Sequence, residues 1–167
     1  MNSFKHARGI ETESTNVVVP ALLKRYNATM EEDLNVVEEG VKRQMNGQGD
    51  VILRMPDNEL VSFELKADKT QWPNVFFEEW SNKSTGRKGW LHSLKADKLV
   101  YHRMMFRECL EFDWPKFQIW AMKNIQKYPL KPQGKYVQRN DAWGYCVPTI
   151  ELLKVSKEIG LTVWKFE

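Results

Sequence analysis

Two short segments near the middle of the chain, residues 51–55 and 61–65, alternate apolar with other side chains at a period of two. That period is typical of a β-strand with one buried face, because successive side chains point to opposite sides of a sheet. The stretch between them contains Pro56, Asp57 and Asn58, which are typical turn residues. The sequence therefore predicts a β-hairpin whose apolar residues share one face.

The register of this hairpin decides where three ionisable residues lie. If antiparallel partners sum to an even number, as with a loop of residues 57–59, Asp50 lies opposite Lys66 and diagonal to Glu64. A two-residue loop would instead place Asp50 on the face of Leu65. We therefore expect an odd loop or a bulge, with both carboxylates and the ammonium on one face and Leu65 in the core.

Two carboxylates and an ammonium that converge on a sheet form a candidate metal site. Mg²⁺ keeps several waters and uses one or two carboxylates plus substrate phosphate. An adjacent ammonium can orient or help to deprotonate a bound water, and the metal can stabilise the charge that develops during in-line attack on phosphorus. The residues therefore indicate phosphodiester hydrolysis, and the alternative is an exposed Glu–Lys pair on an edge strand.

The spacing of these residues resembles the PD-(D/E)XK nuclease superfamily, whose pattern is an acidic residue on one strand and (D/E)-x-K on the next. Here Asp50 is followed by thirteen residues and then by the tripeptide at residues 64–66. Gly49 stands where the family has a Pro before the first acidic residue. Further on, residues 74–82, 89–90 and 96–101 are similar to the third strand, glycine turn and second helix of phage and bacterial members.

The resemblance covers roughly residues 8–125 and implies a Mg²⁺-dependent endodeoxyribonuclease, in which Mn²⁺ can replace Mg²⁺. It places Asp50, Glu64 and Leu65 at the metal, and Lys66 would position the attacking water. The implied substrate is DNA, double-stranded or branched. Because cutting both strands needs two sites, a homodimer is expected.

The family also has a Glu on its first helix, and Glu11 and Glu13 both remain candidates for that place. Glu13 is preferred, because it stands at helical spacing from the apolar stretch at residues 17–22. Pro20 would kink or restart this helix. Glu78 is a further acidic candidate for a supporting role, and its alternative is an edge-strand carboxylate at solvent.

Basic and aromatic residues suggest where a nucleic acid would bind. Lys83, Arg87 and Lys88 are candidates for phosphate contacts, which supply affinity that falls with salt but carry no base information. Ordinary solvated side chains are the alternative. Trp72 or Trp90 could stack on bases.

The expected fold class is α/β, a mixed β-sheet flanked by helices with a restriction-endonuclease-like αβββαβ core, in a single domain of residues 1–167. The last helix would be capped by Thr149 and ended by Gly160. The apolar patterns predict helices over residues 3–26, 93–107 and 150–159, and further strands over residues 34–41, 75–80, 117–122 and 161–166.

Composition sets the remaining limits. A chain of 167 residues with 42% hydrophobic content can bury one sizeable core. Cys109 and Cys146 lack the spacing of a structural zinc site. Without an apolar run long enough to cross a membrane, we expect a soluble protein in the cytoplasm of a bacterium or a phage-infected cell. The net charge of +3 is mild, so DNA contacts must come from local clusters.

Within the nuclease class, the sequence leaves open a phage nuclease, a junction resolvase, a homing endonuclease and a restriction enzyme. The alternative from another class is a non-catalytic nucleic-acid-binding protein that keeps the nuclease fold. Competing hydrolytic motifs are absent, since the three histidines form no H-E-x-x-H arrangement and no phosphate-binding glycine loop occurs.

Overall fold

The structure is a computed structural model that describes residues 3–34, 47–133 and 141–166, with side chains described from residue 9 onward. Short 3₁₀ turns occur at Met104–Phe106 and Ile125–Lys127. The helices are α1 (Ser3–Tyr26), α2 (Trp90–Ser93), α3 (Trp114–Asn124) and α4 (Thr149–Lys154). The strands are β1 (Thr29–Asp33), β2 (Val51–Arg54), β3 (Leu60–Asp68), β4 (Asn74–Asn82), β5 (Arg87–Lys88), β6 (Lys98–Arg103), β7 (Glu108–Asp113), β8 (Leu130–Pro132), β9 (Trp143–Pro148) and β10 (Leu161–Lys165).

The strands form two sheets. The larger one has the order β1-β2-β3-β6-β7-β10, and it is mixed because β3 and β6 run parallel while the other neighbours are antiparallel. The smaller, antiparallel sheet has the order β5-β4-β9-β8. After β3 the chain adds β4 and β5 to the smaller sheet and returns through α2 as β6. The expected mixed α/β class, with a mixed sheet flanked by helices, is confirmed.

The larger sheet is buried on both faces. On one face, Val18 and Leu22 of α1 belong to an apolar cluster with Phe63 and other residues of the hairpin. On the other face, a second cluster includes Phe77 of the smaller sheet and Phe117 of α3, whose rings stack 4.4 Å apart between centroids. The central strands of the larger sheet therefore lie between two apolar layers.

Helix α1 has the bounds that the sequence predicts. It runs through Pro20 as one element, so the expected restart does not occur. Pro20 is exposed, and at such a position water can satisfy the carbonyl that loses its hydrogen bond. Among the described residues, no helix is long and apolar enough to cross a membrane.

The helix expected over residues 93–107 is wrong, because this stretch contains strand β6 and a 3₁₀ turn. Leu99 and Tyr101 belong to one apolar cluster and Val100 to the other. A strand buried on both faces reads as a continuous apolar run. A continuous apolar run also contains residues three and four positions apart, so the sequence of β6 fits a helical pattern as well.

The strand expected over residues 117–122 is also wrong, because these residues lie in α3. Asp113 caps this helix, and its carboxylate accepts a hydrogen bond from the Lys116 N–H at 3.3 Å. The buried face carries Trp114, Phe117 and Trp120, whereas Ile119 is exposed. Aromatic and branched residues at helical spacing were mistaken for a buried strand.

The remaining elements depart from expectation in smaller ways. Strand 75–80 is part of β4 and strand 161–166 is β10, but helix 150–159 ends as α4 at Lys154. Pro148, not Thr149, holds the N-cap position of α4, and the Thr149 hydroxyl instead accepts a hydrogen bond from buried Arg103. Apart from Leu34, the expected strand 34–41 lies outside the described residues.

Candidate functional site

The hairpin register puts the predicted ionisable residues close together. β2 pairs with β3 through Val51 and Phe63, and the loop contains Pro56, Asp57 and Asn58. Asn58 has a positive φ of 69°, as in a three-residue loop that ends in a left-handed residue. The odd loop length is therefore as expected, but the loop begins one residue earlier than residues 57–59.

As a consequence, Asp50 lies beside β3 at residues 63–65 rather than opposite Lys66. Its N–H donates to the Phe63 carbonyl at 2.7 Å, and its carboxylate oxygen Oδ2 accepts from the Leu65 N–H at 2.8 Å. The carboxylate is thus fixed at the main-chain position between Glu64 and Lys66.

Glu64 and Lys66 form an ion pair on the face of β3 that is directed away from α1. Lys66 Nζ lies 2.5 Å from Glu64 Oε1, and the two side chains are 29% and 10% exposed. Burial raises the pKa of Glu64; the charge of Lys66 opposes this, and the charges of Asp50 and Glu11 add to it. The Glu64 carboxylate is therefore held where its ionised form is costly.

Lys66 is expected to keep its proton. Burial opposes its charge, but the carboxylates of Glu64, Asp50 and Glu11 outweigh that effect and raise its pKa. Its ammonium also lies 5.9 Å from the ring centroid of Trp90. The group is therefore a hydrogen-bond donor and a positive charge, not a base, in this arrangement.

Of the two first-helix candidates, Glu11 is the one whose charge acts on Glu64 and Lys66. Glu13, which the sequence favours, forms an ion pair with Lys69 at 2.5 Å, and both side chains are exposed. The buried Ser14 hydroxyl lies 2.9 Å from Nδ1 of His102 on β6 and ties α1 to the sheet. The geometry thus favours Glu11 over Glu13 as the carboxylate near the cluster.

Glu78 lies on β4 of the smaller sheet, where the charge of Lys66 acts on it. The alternative of an edge-strand carboxylate is wrong, because β4 lies between β5 and β9. Glu78 Oε1 accepts from the Trp90 N–H at 3.3 Å. Burial raises the pKa of Glu78, while the Trp90 hydrogen bond and the charges of Lys66 and Arg87 lower it. Glu78 thus belongs to the same polar region as the ion pair.

The three basic candidates for DNA contact differ in their surroundings. Lys88 is paired with Glu79 at 2.8 Å and lies 3.6 Å from the ring centroid of Trp80. Lys83 lies 3.8 Å from the ring centroid of Trp143. Arg87 is exposed on β5, and its charge reaches Glu78. Of the three, Arg87 is the one that the structure connects to the polar region.

Gly49 explains the departure from the family pattern at this position. Its φ is +98°, which proline cannot adopt because its ring fixes φ near −65°. A Cβ at Gly49 would also lie 2.7 Å from the Phe63 carbonyl oxygen. The turn that delivers Asp50 to β3 therefore requires glycine, and a glycine directly before an acidic residue is the sequence signal for such a turn.

The donor chemistry of the cluster suits a hard cation. Within the described parts of the chain, no group of three or more His, Cys, Asp or Glu side chains is placed to hold a metal ion. Mg²⁺ needs only one or two carboxylates besides water and phosphate, and Asp50 and Glu64 supply two. Burial and, to a smaller extent, the charges of Asp50 and Glu11 raise the pKa of Glu64, and a bound cation would relieve the repulsion between these carboxylates. The buried Leu65 side chain leaves only its main chain for this role.

The chain was also compared with known proteins. No protein-family model, no curated protein and no solved structure matches it. The functional interpretation rests on the residues and geometry described above.

Proposed function

We propose that the chain is a Mg²⁺-dependent endodeoxyribonuclease with a PD-(D/E)XK-type site. The observation that carries the proposal is the placement of the Asp50 carboxylate on the Leu65 N–H, between Glu64 and its ion-pair partner Lys66. Two carboxylates and a protonated ammonium at one point match the chemistry of metal-assisted phosphodiester hydrolysis.

The topology supports a restriction-endonuclease-like core in part. Helix α1 packs on the β2–β3 hairpin, and β3 is followed, after a crossover, by the parallel strand β6. The departure from the αβββαβ order is that the helical part of the crossover is the single turn α2. Asp50 lies directly before β2, and Glu64 lies in the middle of β3.

Each residue has a distinct role in the proposed reaction. Asp50 and Glu64 would hold Mg²⁺, which would supply charge stabilisation at the phosphate and a more acidic water. The protonated Lys66 would donate a hydrogen bond that orients the attacking water or a phosphate oxygen. The attacking water would release a proton to solvent as its oxygen forms a bond to phosphorus. The bond between phosphorus and the sugar oxygen would break, and that oxygen would take up a proton from solvent. The charge of Glu11 on α1 would help to keep Lys66 protonated.

The test is DNA cleavage by the purified protein. Supercoiled plasmid, linear duplex and a four-way junction would be incubated with Mg²⁺ or Mn²⁺, and with EDTA as control. We expect metal-dependent cutting, reduced about a hundredfold or more by Asp50→Asn, Glu64→Gln or Lys66→Ala. Lys69→Ala, which alters a surface ion pair, should retain activity. No cleavage of any substrate with either metal would contradict the proposal.

The same assay separates the open alternatives. A junction resolvase prefers the branched substrate, whereas a reader of palindromic sites cuts linear duplex as a dimer with a fixed stagger. A non-catalytic binding protein would bind DNA in EDTA, and Lys66→Ala would leave its function unchanged. The cytoplasm is the compartment in which such a nuclease would meet bacterial or phage DNA.

A further inference from the structure

A cleft opens beside the proposed site, between the end of β3 and the start of β4. Its volume is about 390 Å³, within the range of about 300–1,000 Å³ that is common for ligand pockets. We call it the β3–β4 cleft. Its principal lining residues are Asp68, Thr70, Trp72, Phe76, Tyr101 and Cys146.

The walls combine aromatic faces with hydrogen-bonding groups. Trp72 is 71% exposed, so the face of its ring is accessible for stacking. The Tyr101 hydroxyl donates to Asp68 Oδ2 at 3.1 Å, and the Thr70 N–H donates to Asp68 Oδ1 at 2.7 Å. These two bonds fix the Asp68 carboxylate in the cleft wall.

The charge of the cleft selects against phosphate. None of the described residues that line it is Lys or Arg, and Asp68 is acidic. A carboxylate repels a phosphate but accepts hydrogen bonds from the N–H groups of a base edge. A planar, uncharged ring with N–H donors therefore suits the cleft better than an anion does.

The cleft continues directly from the proposed catalytic cluster. On β3, Asp68 follows Lys66 by two residues on the same face, a separation of about 7 Å. On β4, Phe76 precedes Glu78 by two residues in the same way. A nucleotide next to a phosphate held at Lys66 would therefore have its base at the cleft.

We propose that the β3–β4 cleft binds one unpaired nucleobase, stacked on Trp72 with its N–H groups directed to Asp68. The choice of this occupant rests on the proposed nuclease function, because the cleft adjoins the cluster assigned to the scissile phosphate. The proposal implies a preference for DNA that has an unpaired nucleotide beside the cleavage position.

Binding without metal tests this proposal separately from catalysis. The affinity of a fluorescently labelled, mixed-sequence single-stranded oligonucleotide would be measured by anisotropy in EDTA, together with a blunt hairpin duplex of the same composition. We expect Trp72→Ala to weaken single-strand binding roughly tenfold and to leave duplex binding unchanged. Trp72→Phe should restore most of the affinity, since a phenyl ring also stacks.

The matched control is Met122→Ala on α3, a side chain that is 82% exposed outside the cleft. It should change neither affinity. Equal binding of the single strand by Trp72→Ala and the wild type would overturn the proposal, as would absence of single-strand binding. An equal loss for single strand and duplex would also overturn it, because a general surface contact would then explain the effect.

Cys146 provides a second readout inside the cleft. Its alkylation by N-ethylmaleimide would be followed by mass spectrometry, with the fully buried Cys109 as internal reference. The oligonucleotide should slow alkylation of Cys146 at least severalfold, and unchanged alkylation would overturn the proposal. Protection by a nucleoside monophosphate as well would show that the base alone suffices; protection by the oligonucleotide only would show that the strand delivers it.

Base binding without any metal-dependent cleavage would overturn the nuclease function and leave the cleft assignment intact.

Discussion

At the scale of single residues, Glu64 is a carboxylate whose burial costs stability. Its carboxylate is buried beside Asp50 and within range of Glu11, and Lys66 compensates only in part, so its pKa stays raised. A protein under no other constraint would place a neutral residue here. An acid kept in such surroundings is typical of a functional site.

Glu64→Gln should therefore stabilise the protein at pH 7. A carboxyl whose pKa is raised on folding contributes fully below its unfolded pKa of about 4.5, and that contribution is lost as the pH rises through the folded value. The gain from Glu64→Gln should thus be large at pH 7 and small at pH 4. A gain on the order of 1 kcal/mol would raise Tm by about 2–4 °C in thermal unfolding followed by circular dichroism.

The control for this prediction is Glu31→Gln. Glu31 is exposed and its pKa is lowered, chiefly by the Arg54 hydrogen bond, so its replacement should not stabilise the protein at pH 7. A lower Tm for Glu64→Gln at pH 7 would show that the ion pair with Lys66 outweighs the burial of the charge.

The two first-helix acids make a matched pair for a second prediction. Glu11→Gln should lower the rate of Mg²⁺-dependent DNA cleavage, roughly tenfold or more, because the negative charge of Glu11 helps to keep Lys66 protonated in the proposed site. Glu13→Gln should change the rate less than about twofold, because Glu13 pairs with exposed Lys69. The reverse order of effects would restore Glu13 as the site residue.

At the scale of elements, the β2–β3 hairpin delivers Asp50 to the cluster, and Gly49 is its most constrained residue. Gly49→Ala should destabilise the protein by about 3 kcal/mol, because both the positive φ and the close Phe63 carbonyl oppose a side chain. Gly86 also has a positive φ, but no atom lies within 4 Å of a Cβ added there. Gly86→Ala should therefore destabilise the protein by only about 1 kcal/mol. Urea unfolding measures both, and equal losses would contradict the assigned contact.

The hairpin was predictable because a single rule governs it. Side chains alternate between the two faces of a strand, so Glu64 and Lys66 must lie on the same side. The shared apolar face and a loop with an odd number of residues then set the register. The exact loop position was not predictable, because Pro56, Asp57 and Asn58 suit several turns. The sequence likewise does not show that Asp50 hydrogen-bonds to the Leu65 N–H.

Elements buried on both faces or on one strongly aromatic face were the ones misassigned. In β6, apolar residues directed to both clusters obscure the period of two. In α3, Asp113 at the N-cap and Pro115 in the first turn are sequence signals of a helix start. The aromatic residues that follow favour a strand by their propensity, and this led to the wrong assignment. The choice between Glu11 and Glu13 could not be made from the sequence, because it depends on how α1 is rotated against β3.

At the scale of the whole molecule, the net charge of +3 gives little general attraction to DNA. Lys88 is already paired with Glu79, whereas exposed Arg87 lies where its charge reaches the polar region. The proposed function therefore needs substrate contacts from a few residues near Glu78 and the Glu64–Lys66 ion pair.

Arg87→Ala should weaken binding of duplex DNA and reduce the slope of log K against log salt concentration by about 0.9, the loss of one phosphate contact. Lys154→Ala is the control, since Lys154 pairs with Glu151 on α4. Anisotropy titrations between about 50 and 200 mM salt measure both slopes. An unchanged slope for Arg87→Ala would remove Arg87 from the DNA-binding surface.

The central claim is that Asp50 and Glu64 together bind one divalent cation beside Lys66. Electron paramagnetic resonance of free Mn²⁺ during titration measures this directly, with wild type, Glu64→Gln and Glu31→Gln compared at pH 7. The account predicts one Mn²⁺ per chain in the wild type and in Glu31→Gln, and affinity at least tenfold weaker in Glu64→Gln. A wild type that binds no Mn²⁺, or a Glu64→Gln variant that binds it equally well, would contradict the claim.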